Sequence, residues 1–175
     1  HQTQGVNRYS RYSKNFSHNS LVYTKKHMLS IAHGPTGAFI ASKISNPVIS
    51  IPLALAAHYL QDRVPHWDVG QGLTNGSKKK SHSFLQELIF DLPLSIVITY
   101  FLFQYHKDFN LNIWIGWFAG LLPDFIEFPR LFLKKNLPIL EYHHRFHKWF
   151  HVSIPNKFWG LLPQIIVLLT ILYFK

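Results

Sequence analysis

Histidines and carboxylates recur in this chain at spacings that suit a metal ion. In the segment His58-Tyr-Leu-Gln-Asp62-Arg-Val-Pro-His66-Trp-Asp68, candidate ligands crowd directly behind the apolar run 47–57. His58 and Asp62 are four residues apart, so on a helix they project from one face, one turn above the other. Pro65 disfavours helical geometry at Val64, which predicts a helix end near Arg63 that turns His66 and Asp68 back toward it. Imidazole and carboxylate converging beside an apolar wall are what a zinc-type hydrolytic site needs.

A second concentration lies in Glu141-Tyr-His143-His144-Arg-Phe-His147-Lys-Trp-Phe-His151. At about 100° per residue, His143, His147, His151 and His144 fall on one stripe roughly 100° wide. Glu141, Arg145 and Lys148 occupy a charged face, and Tyr142, Phe146, Trp149 and Phe150 an aromatic one. An amphipathic interfacial helix accounts for the last two faces. The imidazole stripe needs another reason, and ligation is the one expected, with His147 its centre.

Smaller signals lie between the clusters. Ser81-His82-Ser83 sets an imidazole at a helix entrance, and Leu122-Pro123-Asp124 ends an apolar helix with an acid, as Asp62 ends the earlier one. His33 opens the first helix. Glu87 and Asp91 share one face of an apolar helix, where two carboxylates resist desolvation unless a cation or proton joins them. The expected site therefore has His58, Asp62, His82, Asp124 and His147 as principal ligands, with His33, His66, Asp68, His143 and His151 behind them. Asp91 or Glu87 would move the proton. Lys79, Lys80 and Arg145 would attract an anionic, phosphate-bearing substrate.

Composition narrows the chemistry. The chain has no cysteine, so disulfides, thiolate metal sites and thiol catalysis are excluded. Nitrogen and oxygen donors favour zinc, with manganese or iron as alternatives. Eighteen Lys+Arg against 8 Asp+Glu give a formal net charge of +10, which suits polyanionic partners. Nucleic acid is disfavoured, because the aromatics lie in apolar runs rather than among basic residues.

The positioning elements read as helices, with no sustained period-two alternation. Residues 1–27 are basic, rich in Ser and Asn and free of acid; they are expected to be a disordered extension preceding a helical domain from Met28. Helices are predicted over Gly34–Lys43, Pro47–Arg63, Ser83–Tyr105, Asn112–Leu122, Glu127–Lys135, Pro138–Val152 and Phe158–Phe174. Ser83 and Gln86 form a capping box, and Gly116-x-x-x-Gly120 permits close helix contact. The apolar lengths of 84–105 and 158–174, with charged flanks, predict an integral membrane protein contacting membrane lipid.

His33-x-x-x-Gly37, Ser81-His82-Ser83 and Leu122-Pro123-Asp124 resemble the motifs of the integral-membrane metal-dependent hydrolases of the YdjM-like family, which are distantly like helical zinc-dependent phospholipase C. The resemblance spans residues 30–130. It implies an all-α bundle, a His/Asp metal centre and phosphoester hydrolysis, in a membrane of the bacterial inner-membrane type. Lys78-Lys79-Lys80 stands where the family carries His-Arg-Gly, and Gln61 rather than proline precedes Asp62. The expected function is hydrolysis of a lipid or lipid-linked phosphoester by metal-activated water. A non-catalytic membrane protein that binds or transports metal is the alternative.

Overall fold

The computed structural model describes residues 31–67, 85, 87–135, 137–154 and 156–175. The expected ligands Asp68 and His82, the lysines 79 and 80, and the Ser83 capping box lie outside the described residues. Among those described, the chain is all-helical, as expected: α1 (His33–Lys43), α2 (Pro47–Arg63), α3 (Glu87–Gln104), α4 (Leu111–Leu131), α5 (Pro138–Phe150) and α6 (Lys157–Phe174).

The first two helices form a tight antiparallel hairpin. Asn46 starts α2 by accepting a hydrogen bond from Val48 N at 3.0 Å, and Pro47 occupies the first turn, where its missing N–H costs nothing. Because the link is short, His33 at the start of α1 returns beside Asp62 at the end of α2. A similar Asn cap opens α4, where Asn110 accepts from Asn112 N.

Helix α4 packs on α1 backbone to backbone. A Cβ on Gly37 would strike the Gly116 carbonyl oxygen, and one on Gly120 would strike that of His33. The small-residue face read from Gly116 and Gly120 is therefore used, with Gly37 as its partner across the interface. Beside this seam, Ala38, Phe103, Ile113 and Ile171 form the buried apolar core.

One expectation is overturned. Asn112–Leu122 and Glu127–Lys135 were predicted as separate helices with Asp124 at a terminus, but α4 runs unbroken through Pro123 and Pro129. Pro123 cannot donate to Ala119 O, and the helix tolerates that loss because both of its faces are held by neighbours. Asp124 consequently projects from within a helix. Helix α5 also stops earlier than predicted, at Phe150, leaving His151 and Val152 beyond it.

Helix α3 widens to π-type turns at both ends; Tyr105 N bonds to Tyr100 O, five residues back. It is the one described helix long and apolar enough to cross a membrane, and Phe158–Phe174 is apolar but shorter. Phe90 and Phe101 on α3, and Phe158, Trp159 and Ile166 on α6, are exposed.

No strand occurs among the described residues. A single parallel bridge pairs His66 with Ser153, flanked by Val152 N to Asp62 O at 2.9 Å and Ile154 N to His66 O at 2.8 Å. It ties the segment leaving α2 to the segment leaving α5, the two that carry His66 and His151.

Candidate metal centre

Asp62 is the hub of the site. Its carboxylate is 1 % exposed and faces imidazoles on both oxygens. Oδ2 accepts a hydrogen bond from His147 Nε2 at 2.6 Å and lies 3.3 Å from His58 Nε2. Oδ1 lies 3.3 Å from His33 Nε2 and 3.8 Å from His66 Nε2. Ligands thus gather in two lobes with Asp62 shared between them. Asp124 joins the first lobe, its Oδ1 3.9 Å from His58 Nε2. His151 joins the second, where its ring centroid is 4.8 Å from that of His66.

The imidazoles are preset to ligate. His58 Nδ1–H donates to Gly120 O at 2.7 Å, and His66 Nδ1–H donates to Val64 O at 2.9 Å. A backbone acceptor on Nδ1 fixes the neutral tautomer and leaves the Nε2 lone pair free for a cation. Both Nε2 atoms face Asp62, at 3.3 and 3.8 Å. His58 Nε2 also lies 3.3 Å from His147 Nε2, so the nitrogens of α2 and α5 converge on the same carboxylate oxygen.

The charge states carry the same signature. Burial opposes protonation of His58, yet the Asp124 and Asp62 carboxylates outweigh it and raise its pKa to about 9. Burial alone would raise Asp62, but His58 and the hydrogen bonds from His147 and His33 hold it well below the ordinary carboxylate range. Asp124 is likewise lowered by His58 against its own burial. His33 moves the other way, lowered by burial and by the neighbouring His58. A proton on His58 thus supplies the positive charge that the carboxylates demand.

These residues fit a divalent ion. Ligand atoms bound tetrahedrally at zinc distances sit about 3.3 Å apart, from bond lengths of about 2.0–2.1 Å. The His58–Asp62 and His58–His147 separations, both 3.3 Å, have that size. His33 Nδ1, His147 Nδ1 and Asp124 Oδ2 are buried without a hydrogen-bond partner. The nitrogen-and-oxygen set accommodates zinc, manganese or iron alike.

The imidazole stripe of α5 points inward as expected, while Tyr142, Phe146 and Trp149 face outward. Its residues divide their work, however. His147 enters the first lobe. His143 Nδ1–H and His144 Nδ1–H donate instead to the two oxygens of Glu127, at 2.9 and 3.2 Å, and Tyr59 Oη–H donates to His143 Nε2. Burial lowers the pKa of His144 despite the Glu127 charge.

Glu127 was not among the residues expected at the site. It is 1 % exposed and stands with His143 and His147 in a third convergent group. Its spacing of three from Asp124 was the available signal, since it places both acids on one helix face once α4 is continuous.

Among the described residues, Glu87, Asp91 and Arg145 belong to none of the convergent groups. Asp91 is buried and Glu87 half-buried on α3. One turn beyond Asp91, Ser95 lies against Gly34 beside His33 and accepts a hydrogen bond from Trp117 Nε1. Arg145 is exposed and pairs with Glu141 at 3.4 Å. No family model, curated protein or solved structure matches the chain.

Proposed function

We propose that this protein is a metal-dependent hydrolase of phosphoesters, embedded in a membrane through α3. One observation carries the reading: Asp62 is shared by two lobes of imidazoles, two of which are locked by backbone carbonyls with Nε2 aimed at it. The resemblance of His33-x-x-x-Gly37 and Leu122-Pro123-Asp124 to the YdjM-like hydrolases points to the same chemistry.

His58, Asp124 and His147, with Asp62, would hold one divalent ion, and Asp62, His66 and His151 a second, with His33 against Asp62 between them. Such an ion polarises a phosphoryl oxygen and lowers the pKa of water at the site. Asp62 fixes the two lobes relative to each other. His58 and His66 keep their rings oriented through the Gly120 and Val64 carbonyls. Asp124, at 17 % side-chain exposure the more accessible carboxylate of the first lobe, is the first candidate to take a proton from attacking water. Asp91, one turn from Ser95 on the face toward α1, is the second candidate for that step. The net charge of +10 draws anionic substrate toward the site.

A closed metal-binding or transport site is the rival reading, favoured by the burial of His58, Asp62 and His147 at 1, 1 and 0 % exposure. Elemental analysis combined with phosphodiesterase assay separates the two. The hydrolase reading expects bound zinc, manganese or iron and an activity abolished by chelator and restored by that metal. Stoichiometric metal without hydrolysis would establish the rival, and protein with no metal would sink both.

A further inference from the structure

A cavity of about 450 Å³ lies between the end of α2 and helix α6. Its volume is in the range of small-ligand sites, about 300–1,000 Å³. Its lining includes His33 and His66 of the metal centre, with Gln61 and Gln164 beside them. The rest is apolar, walled chiefly by Leu162, Ile166 and Val167.

The two glutamines are held by the surrounding structure. Gln61 Nε2 donates to Thr36 Oγ1 at 2.6 Å, and Gln164 Nε2 donates to Trp67 O at 3.3 Å. Both amides are therefore oriented, and the Oε1 of each is buried without a hydrogen-bond partner. Neither oxygen is on the cavity surface, so the wall that an occupant meets is almost wholly apolar, with His33 and His66 as its link to the metal centre.

The mouth of the cavity indicates the route of entry. Val64, Ile166 and Trp159 line it and are 45, 53 and 60 % exposed. They continue into the exposed apolar residues Phe158, Ile165 and Leu169 of α6. A water-soluble phosphate would have no reason to meet its metal through an apolar doorway. An amphiphile leaving a lipid layer would cross it with its chain already desolvated.

We infer that the substrate is a single-chain amphiphilic phosphoester whose alkyl tail occupies the cavity between α2 and α6 while its phosphate lies at His33, Asp62 and His66. The inference rests on the hydrolase reading for the fate of the ester, and on the cavity alone for the binding of the tail.

The test uses the full-length, metal-loaded protein in lipid nanodiscs and an alkyl phosphate with a diazirine near the tail end. After photolysis, peptide mapping should place the label on Trp159, Leu162 or Ile166. Labelling there should exceed that of exposed apolar residues of α3 by about tenfold, the scale expected when a buried chain gains about two methylenes of contact. Unlabelled dodecyl phosphate should compete, and inorganic phosphate should not. Val167→Phe fills the cavity and should lower the labelling about tenfold with bound metal unchanged; Leu162→Phe serves if that variant does not fold. Equal labelling of α3 and α6, or full competition by inorganic phosphate, would overturn the inference. Labelling of the cavity without hydrolysis of any phosphoester would instead refute the hydrolase reading and leave the binding site standing.

Discussion

Asp62 and His147, eighty-five residues apart, meet through a hydrogen bond of 2.6 Å between buried side chains. The contact joins the last turn of α2 to the far end of α5 and closes the first lobe of the site. Neither partner can be relieved by water, since their side chains are 2 % and 0 % exposed. Removing His147 takes a donor from Asp62, and removing Asp62 takes from His33, His58, His66 and His147 the carboxylate they share.

Asp62→Asn keeps the shape of the hub and removes its charge. Both lobes depend on that charge, whereas His147→Ala and His66→Ala each touch one. Asp62→Asn is expected to weaken metal binding by well over the 10–100-fold typical of lost supporting interactions around a metal. The single histidine variants should retain the metal of the untouched lobe. Elemental analysis of the three proteins beside wild type checks this; equal metal content in all of them would exclude Asp62 as a shared ligand.

The metal-free protein should lose stability in mild alkali. The pKa of His58 is raised from 6.5 to about 9 in the folded state, so its contribution is fully present below 6.5 and is lost as pH rises toward 9. Asp62 has the opposite sign: its folded pKa is depressed, so its contribution is present above about 4 and disappears as pH falls further. His33 and His144 are lowered by burial, so their contributions are lost as pH falls below 6.5, and thermal midpoints of chelated protein should peak near pH 6.5 and fall on both sides. Zinc or manganese should flatten the alkaline limb by replacing the His58 proton. A midpoint that rises from pH 6.5 to 9 without metal would contradict the charge arrangement.

Much of the site could be read from spacing along the chain. His58 and Asp62 share a face at any helical geometry, and Pro65 turns His66 back whatever follows. The stripe from His143 to His151 also follows from helical period alone. What spacing could not supply was the course of the chain through Pro123. A proline is a sound helix stop where nothing else holds the helix, but here the α1 seam at Gly37 and the α5 contacts at Glu127 hold it. With α4 broken in two, Asp124 and Glu127 could not be placed on one face. The partition of the stripe was illegible for the same reason, because Glu127 is what draws His143 and His144 away from Asp62.

The Gly37–Gly116 contact should admit no side chain. The atoms a Cβ would meet are backbone atoms of the facing helix and the Ala41 Cβ, none of which can rotate away, so α1 and α4 must separate. Gly116→Ala is expected to cost about 1–3 kcal/mol, the range for overpacking. Gly120→Ala should cost as much and also lower metal affinity, since its Cβ meets the carbonyl of His33 and the Gly120 oxygen holds the His58 ring. Chemical denaturation and metal titration of both variants test the pair. Unchanged stability in Gly116→Ala would show that the helices do not approach as closely as described.

Membrane embedding rests on α3, and its outward residues make the claim testable without reference to activity. Ile96 and Phe101 are 38 and 57 % exposed on an uncharged helical stretch, which in water would leave apolar surface uncovered. If lipid covers it, an acid at Ile96 sits in hydrocarbon and costs about 2.5–3.5 kcal/mol of insertion free energy. Ile96→Asp should then reduce the fraction of protein that resists alkaline carbonate extraction, while Tyr105→Asp, just beyond the helix end, should leave it unchanged. Wild-type protein released completely by carbonate would rule out a spanning α3. The metal centre could still form in that case, because its ligands come from α1, α2, α4, α5 and the segments that leave them.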